Sequence, residues 1–249
     1  MVRQVTYGLA ADDEDYFYPE SDGKPMSDNT LQYRWIVLIK ENLEILFSAI
    51  KDIFIAGDLL WYPVQRAPGC APDIMVVFGR PKGERGSYLQ WEEGNIPPQV
   101  VFEIVSPSNS KEEMDRKRDL YEKHGVEEYY LYDPQTNNLQ GWLRSKKSLK
   151  KITNINGWTS PRLKIRFILT TTLEIYRPDG RKFLTSVELE QRALNAERQA
   201  ELEKQQRQQA EQQAELEKQQ RQQAEQQAEL ERQRYQELLK QLQDRGIEL

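Results

Sequence analysis

Gln99-Val100-Val101-Phe102-Glu103-Ile104-Val105-Ser106 is the stretch that decides the fold. Pro97-Pro98 precede it and Ser106-Pro107 close it, so the apolar run is bounded like a strand and is too short for a helix. Side chains alternate along a strand, which puts Val101, Glu103 and Val105 on one face and Val100, Phe102 and Ile104 on the other. Both faces are apolar, as in a strand covered on both sides within an α/β sheet. A carboxylate in the middle of such a strand is costly unless a cation, a metal or a donor meets it. Glu103 is therefore either a structural acceptor or a site residue.

Upstream, Asp73 to Phe78 is a second strand-like run, opened by Asp73 directly after Pro72. Pro-Asp on its own reads as a turn into a strand, but neighbouring strands would bring Asp73 close to Glu103. Phe54 to Tyr62 reads as a further strand. Before it, Trp35, Leu38, Ile39, Leu43, Leu46, Phe47 and Ile50 recur at spacings of three and four, which predicts an amphipathic helix from about Thr30 to Ile50 capped by Ser27 or Asp28. Between the second and third strands, Gly79 to Asn95 is Gly-rich and charged. It reads as an excursion outside the sheet, either solvated or contacting DNA through Arg80, Lys82 and Arg85.

Downstream, a helix is expected from about Asn109 to Lys123, ended by Gly125. Tyr129 to Tyr132, Leu139 to Leu143 and Leu163 to Leu169 alternate like strands, with turns at Asp133-Pro134 and Asn137-Asn138. On the helix, Met114, Lys117, Leu120, Tyr121 and His124 share a side. Lys117 lies near its middle, where a lysine either serves a site or snorkels outward. His124, just before Gly125, reads as a capping or packing residue.

The 249 residues are 38% hydrophobic and 30% charged, with a mean hydropathy of −0.82. Residues 188 to 249 hold 14 acidic and 10 basic side chains, and the preceding 187 residues hold 26 and 25. The body is thus nearly neutral, which excludes a strongly basic nucleic-acid coat but leaves room for a local phosphate-binding cleft. A body of that size suits one domain with a real core. The single cysteine, Cys70, excludes an internal disulfide and a thiolate zinc site, and reads as a small residue before a strand. One histidine excludes a His-based metal cluster and a serine triad. Asp12, Asp13, Glu14 and Asp15 stand where a signal peptide would be apolar, and the run Trp35 to Ile39 is too short to span a bilayer, so a cytoplasmic location is expected.

Three parts are expected: a mobile arm over residues 1–30, a domain over 31–186 and a helical tail over 187–249. In the tail, AELEKQQRQQAEQQ at 200–213 recurs letter for letter at 214–227, and no Gly or Pro occurs from Ser186 to Arg245. A helix from about Val187 to Gln243, roughly 85 Å long, follows. One seam runs Ala196, Ala200, Glu203, Arg207, Ala210, Ala214, and every second pair in it is charged. The tail is either a homo-oligomeric coiled coil or a solvated single helix.

Two acids and a lysine suit phosphodiester hydrolysis. Paired carboxylates hold Mg²⁺, and the lysine orients the attacking water or offsets charge on the phosphate. The joint pattern Pro72-Asp73, Glu103-Ile-Val-Ser-Pro-Ser108, Lys117-x3-Tyr121-x3-Gly125-Val-x-Glu-Tyr129 and Tyr132-Asp-Pro134 resembles the putative restriction endonuclease family of the PD-(D/E)XK nuclease superfamily, over roughly residues 30 to 180. The resemblance implies a mixed β-sheet flanked by helices, with Asp73 and Glu103 as ligands of Mg²⁺ (or Mn²⁺) and DNA as substrate. Val105 stands where the superfamily usually has lysine, and Lys117 matches the place from which such families supply it off the next helix. The further acid that the superfamily often carries on its first helix is matched by Glu41, and Asp58 is an alternative from a strand.

The expected function is a metal-dependent endonuclease on DNA using Asp73, Glu103 and Lys117. Two other readings stay open: a nuclease-like module without cleavage that binds nucleic acid or a protein, and an interaction protein working through its tail. Lys117→Ala is expected to remove a site charge rather than core volume, and so to change stability little.

Overall fold

The computed structural model describes residues 17–21, 23 and 27–244. Most of the arm expected over residues 1–30 lies outside the described residues. The chain divides into two compact units that meet between Ser186 and Val187.

The first unit begins with α1 (Thr30–Leu46), followed by β1 (Ile53–Gly57), β2 (Trp61–Tyr62), β3 (Ile74–Phe78), β4 (Tyr88–Leu89) and β5 (Val100–Ile104). Then come α2 (Lys111–Lys123), β6 (Glu128–Asp133), β7 (Asn138–Ser145), β8 (Ser148–Lys151), β9 (Arg166–Leu169) and β10 (Leu173–Tyr176). Six strands form one sheet in the order β1-β3-β5-β6-β7-β8. β5 and β6 are parallel, joined through α2, and every other pair is antiparallel. The mixed sheet flanked by helices, followed by a long C-terminal helix, is the fold class that the sequence predicted.

Alternation along β5 sorts the two faces. Val100, Phe102 and Ile104 pack with Trp35, Ile36, Ile39 and Leu43 of α1 and with Phe167 and Ile175 of the β9–β10 hairpin. Val101 joins the opposite layer with Met75, Val77, Tyr121, Tyr129 and Trp142, under α2. That layer also holds Trp61 and Tyr88 from the small parallel pair β2–β4. Glu103 points into this second layer and is 2% exposed.

The boundaries differ from the sequence reading at four places in particular. The cap of α1 is Asn29, whose side chain accepts from the amides of Leu31 and Gln32. Asp28 is instead bound by the hydroxyls of Ser106 and Ser108, after β5. The helix stops at Leu46, leaving Ile50 48% exposed. The run 54–62 is two strands because Asp58 takes a left-handed φ of 49° and breaks the ladder. Of the run 163–169 only Arg166–Leu169 is strand, although Leu163 and Ile165 are buried.

The excursion 79–95 is fastened back onto the body. Tyr88 donates its hydroxyl to the Ile96 carbonyl, and Trp61 its indole N–H to Gln90. Its cations are used internally. Arg80 and Arg85 both reach the Glu93 carboxylate, at 2.5 and 2.6 Å, and Arg85 also lies over the Phe54 ring. Lys82 donates to the carbonyls of Phe47 and Ser48 at the end of α1.

The described part of the second unit is formed by α3 (Ser186–Asp244), which starts at the last residue of the first unit and is a single helix of 59 residues, therefore about 88 Å long. Among the described residues no helix is long and apolar enough to cross a membrane.

Candidate active site

β3 and β5 pair with Ile74 opposite Phe102, so one step further along Asp73 lies across from Glu103. β1 continues the row: Gly57 pairs with Ile74, and the Asp58 amide donates to the Asp73 carbonyl at 3.2 Å. The ends of three adjacent strands thus carry Asp58, Asp73 and Glu103 in a line. Asp73 is 8% exposed, and its Oδ2 accepts from the Ile104 amide at 2.6 Å, beside Glu103.

α2 supplies the partners of Glu103. Its start is set by Ser110, whose side chain accepts from the Glu113 amide, and its end by His124, followed by Gly125 at φ 96°. His124 is thus the C-cap residue, packed edge-on against Trp61. Lys117 and Tyr121, one turn apart, face the sheet together. The Lys117 ammonium lies 2.7 Å from Oε2 of Glu103 and 3.3 Å from the Ala71 carbonyl. The Tyr121 hydroxyl donates to the other oxygen, Oε1.

The electrostatics follow from two carboxylates sharing one ammonium in an apolar layer. Burial, reinforced by Glu103, pushes the Asp73 carboxyl up to about 8, against the opposing pull of Lys117 and of the Ile104 amide. Burial works against the charge of Lys117, but Glu103 and Asp73 outweigh it and hold the ammonium above its ordinary range. Burial and Glu103 raise Tyr121 well above its ordinary value, so it is a neutral donor. Burial, with Glu103 next, also lifts the Cys70 thiol to about 12, so it is protonated and unreactive beside the site.

A divalent cation suits this set. The donors are hard oxygens, and with all three groups ionised the charges leave one negative unit unbalanced, which Asp73 answers by keeping its proton. Mg²⁺ needs only one or two carboxylates and completes its shell with water. Among the described residues no three His, Cys, Asp or Glu side chains are grouped to hold a metal ion, so the carboxylates that this set would offer an ion are those of Asp73 and Glu103. Glu41 is not brought there. It is exposed on α1, which covers the opposite face of the sheet, and it pairs with Lys40 at 3.2 Å. Asp58 ends the row of acids and adds only a minor push to Asp73.

Sequence reasoning passed over two neighbours. Cys70 was read only as a small residue, yet its thiol meets Tyr121. The Tyr129 hydroxyl is buried in the same layer and has no hydrogen-bond partner among the described residues. Nothing local marks either one, because both depend on how α2 settles on the sheet. The Ser106 and Ser108 hydroxyls of the Glu-Ile-Val-Ser-Pro-Ser motif are structural: they tie the loop after β5 to Asp28 and, through Ser106, to Asn109.

Comparison with known proteins places the chain in a family. The profile of the family Uma2, described as putative restriction endonuclease, matches residues 34–172, more than half of the chain, and the chain belongs to that family. Among solved structures, the crystal structure of a putative nuclease belonging to DUF820 from Anabaena variabilis is similar at 17% identity. The match covers 55% of this chain and 74% of that one, with a TM-score of 0.40. No curated protein matches the chain.

Proposed function

We propose that this member of the putative restriction endonuclease family is a Mg²⁺- or Mn²⁺-dependent endonuclease that hydrolyses DNA phosphodiester bonds, with Asp73, Glu103 and Lys117 as its site. The observation that carries the reading is the Lys117 ammonium held on the Glu103 carboxylate inside an apolar layer, one strand from Asp73. Asp73 and Glu103 would hold the ion. When bound, it supplies a Lewis acid for the scissile phosphate and an acidified water as nucleophile. Asp73 gives up its proton to bind. Lys117 remains an ammonium, so it offsets charge gathering on the phosphate oxygens and does not take a proton. Tyr121 keeps Glu103 oriented.

One observation favours a second reading, a nuclease-like binding module without cleavage. Glu103 already has one oxygen on Lys117 and the other on Tyr121, as a purely structural carboxylate would. The deciding experiment is cleavage of supercoiled plasmid and of single-stranded DNA with Mg²⁺ or Mn²⁺, alongside Glu103→Ala and Lys117→Ala. Metal-dependent cutting lost in both variants supports the nuclease. Metal-independent DNA binding without cutting supports the module.

A further inference from the structure

The tail helix separates its side chains in a way that its Ala/Glu/Arg seam hides. Leu202, Leu216 and Leu230 stand 14 residues apart, four turns at 3.5 residues per turn, with Gln209 and Gln223 midway between them. This row is flanked on one side by Gln206, Gln213, Gln220 and Gln227, and on the other by Gln205, Gln212, Gln219 and Gln226. All thirteen charged residues between Gln199 and Gln233 fall on the remaining positions of the heptad. The helix therefore carries a continuous face of leucine and glutamine with no charge in it. The three leucines on it are 58%, 55% and 60% exposed.

We infer that this face pairs α3 with α3 of a second copy of the chain in a coiled coil whose leucines lie level with one another. Three features select that partner. A charged partner finds no counter-charge on the face. A glutamine side chain offers both a donor and an acceptor, so a glutamine row is complementary to itself. The 14-residue repeat makes the leucines of two identical helices coincide when they run side by side. The alternative seam through Glu203, Arg207, Glu217 and Arg221 would bury four charges per helix, at a desolvation cost that the Glu–Arg attraction repays only in part. Few leucine layers and many glutamine layers make a weak, reversible dimer.

The test is sedimentation of the full chain over a hundredfold range of concentration. The expected result is a shift from one to two chains per particle. Leu202→Glu, Leu216→Glu and Leu230→Glu made together should abolish the shift while leaving the melting of the body unchanged. Glu203→Gln, Arg207→Gln, Glu217→Gln and Arg221→Gln made together should leave the dimer as it is. A chain that stays single at every concentration overturns the inference. So does a dimer that survives the leucine changes, or one that tightens tenfold when the charged seam is neutralised.

Discussion

The Lys117 ammonium sits 2.7 Å from Oε2 of Glu103, a carboxylate that is only 2% exposed. This pairing changes what the sequence alone implies for Lys117→Ala. Removing one member of a buried pair leaves the other charge without compensation, and for Lys117→Met or Lys117→Ala we expect a loss of about 3 kcal/mol. Lys117→Met combined with Glu103→Gln should recover most of it, because the stranded charge is gone. Urea unfolding of the three variants checks this, and a single variant as stable as wild type would show that Lys117 contributes nothing to folding.

The helical spacing put Lys117 and Tyr121 on one side of α2, but whether Lys117 turned inward or snorkelled outward was decided only by the seating of α2 over Glu103. The strand order that sets Asp73 opposite Glu103 was expected only as adjacency. What stayed illegible was decided by tertiary partners. Asp28 is as good a cap as Asn29 by type, but the Ser106 and Ser108 hydroxyls recruit it. Arg80 and Arg85 look like free cations until folding brings Glu93 between them. Glu128, buried in the opposite layer, is a structural acceptor satisfied by Tyr130, Ser160 and the Arg162 amide. Glu103 differs from it in having a cation as a partner, and no local pattern separates the two.

Asp73 gives the metal-free protein a pH dependence of defined sign. Its carboxyl is raised from an ordinary 3.8 to about 8 in the fold, so the folded chain holds a proton that the unfolded chain has released. Its contribution to stability is full below pH ~4 and is lost as pH rises towards ~8. We expect the melting temperature without divalent ions to fall between about pH 5 and pH 8.5, and Asp73→Asn to flatten that slope. Equal slopes in the two proteins would remove Asp73 as the cause.

The same proton reports on the ion. At pH 7, binding of Mg²⁺ or Mn²⁺ by Asp73 and Glu103 must displace it, so close to one proton should leave per ion, falling to none above about pH 9. Calorimetric titration in two buffers of different ionisation enthalpy measures that release. Heats independent of the buffer at pH 7 would place any bound ion away from Asp73.

Glu93 fastens the 79–95 excursion by drawing in two guanidinium groups. Burial works against its charge, but Arg85 and Arg80 outweigh that and hold its carboxyl below the ordinary range. Stability from this clamp is present above the ordinary carboxylate pKa and is lost as pH falls through the lowered one. Glu93→Gln should cost about 1–2 kcal/mol, less than a fully buried pair because the arginines keep some solvent. Hydrogen exchange should quicken at the Tyr88 and Gln90 amides, which bond to Leu60 and Tyr62 across β2–β4. Unchanged exchange there would mean that β2–β4 holds the segment without the clamp.

The last part of the body before the tail is fastened by Asn42. It is fully buried on α1, donates to the Leu184 carbonyl at 2.7 Å and accepts from the Leu184 amide at 3.1 Å. Phe183 beside it is part of the core, 3% exposed. A chain ending at Thr185 keeps all three contacts and should melt as cooperatively as the full chain, with any DNA cleavage intact and the two-chain species gone. A chain ending at Thr170 loses the β9–β10 pairing and Phe183 and leaves Oδ1 of Asn42 buried without the Leu184 amide and the Arg177 guanidinium that it accepts from, so it should not give a cooperative transition. Thermal melting followed by near-ultraviolet circular dichroism distinguishes the two. Loss of the cooperative transition in the chain ending at Thr185 would mean that α3 belongs to the folding unit.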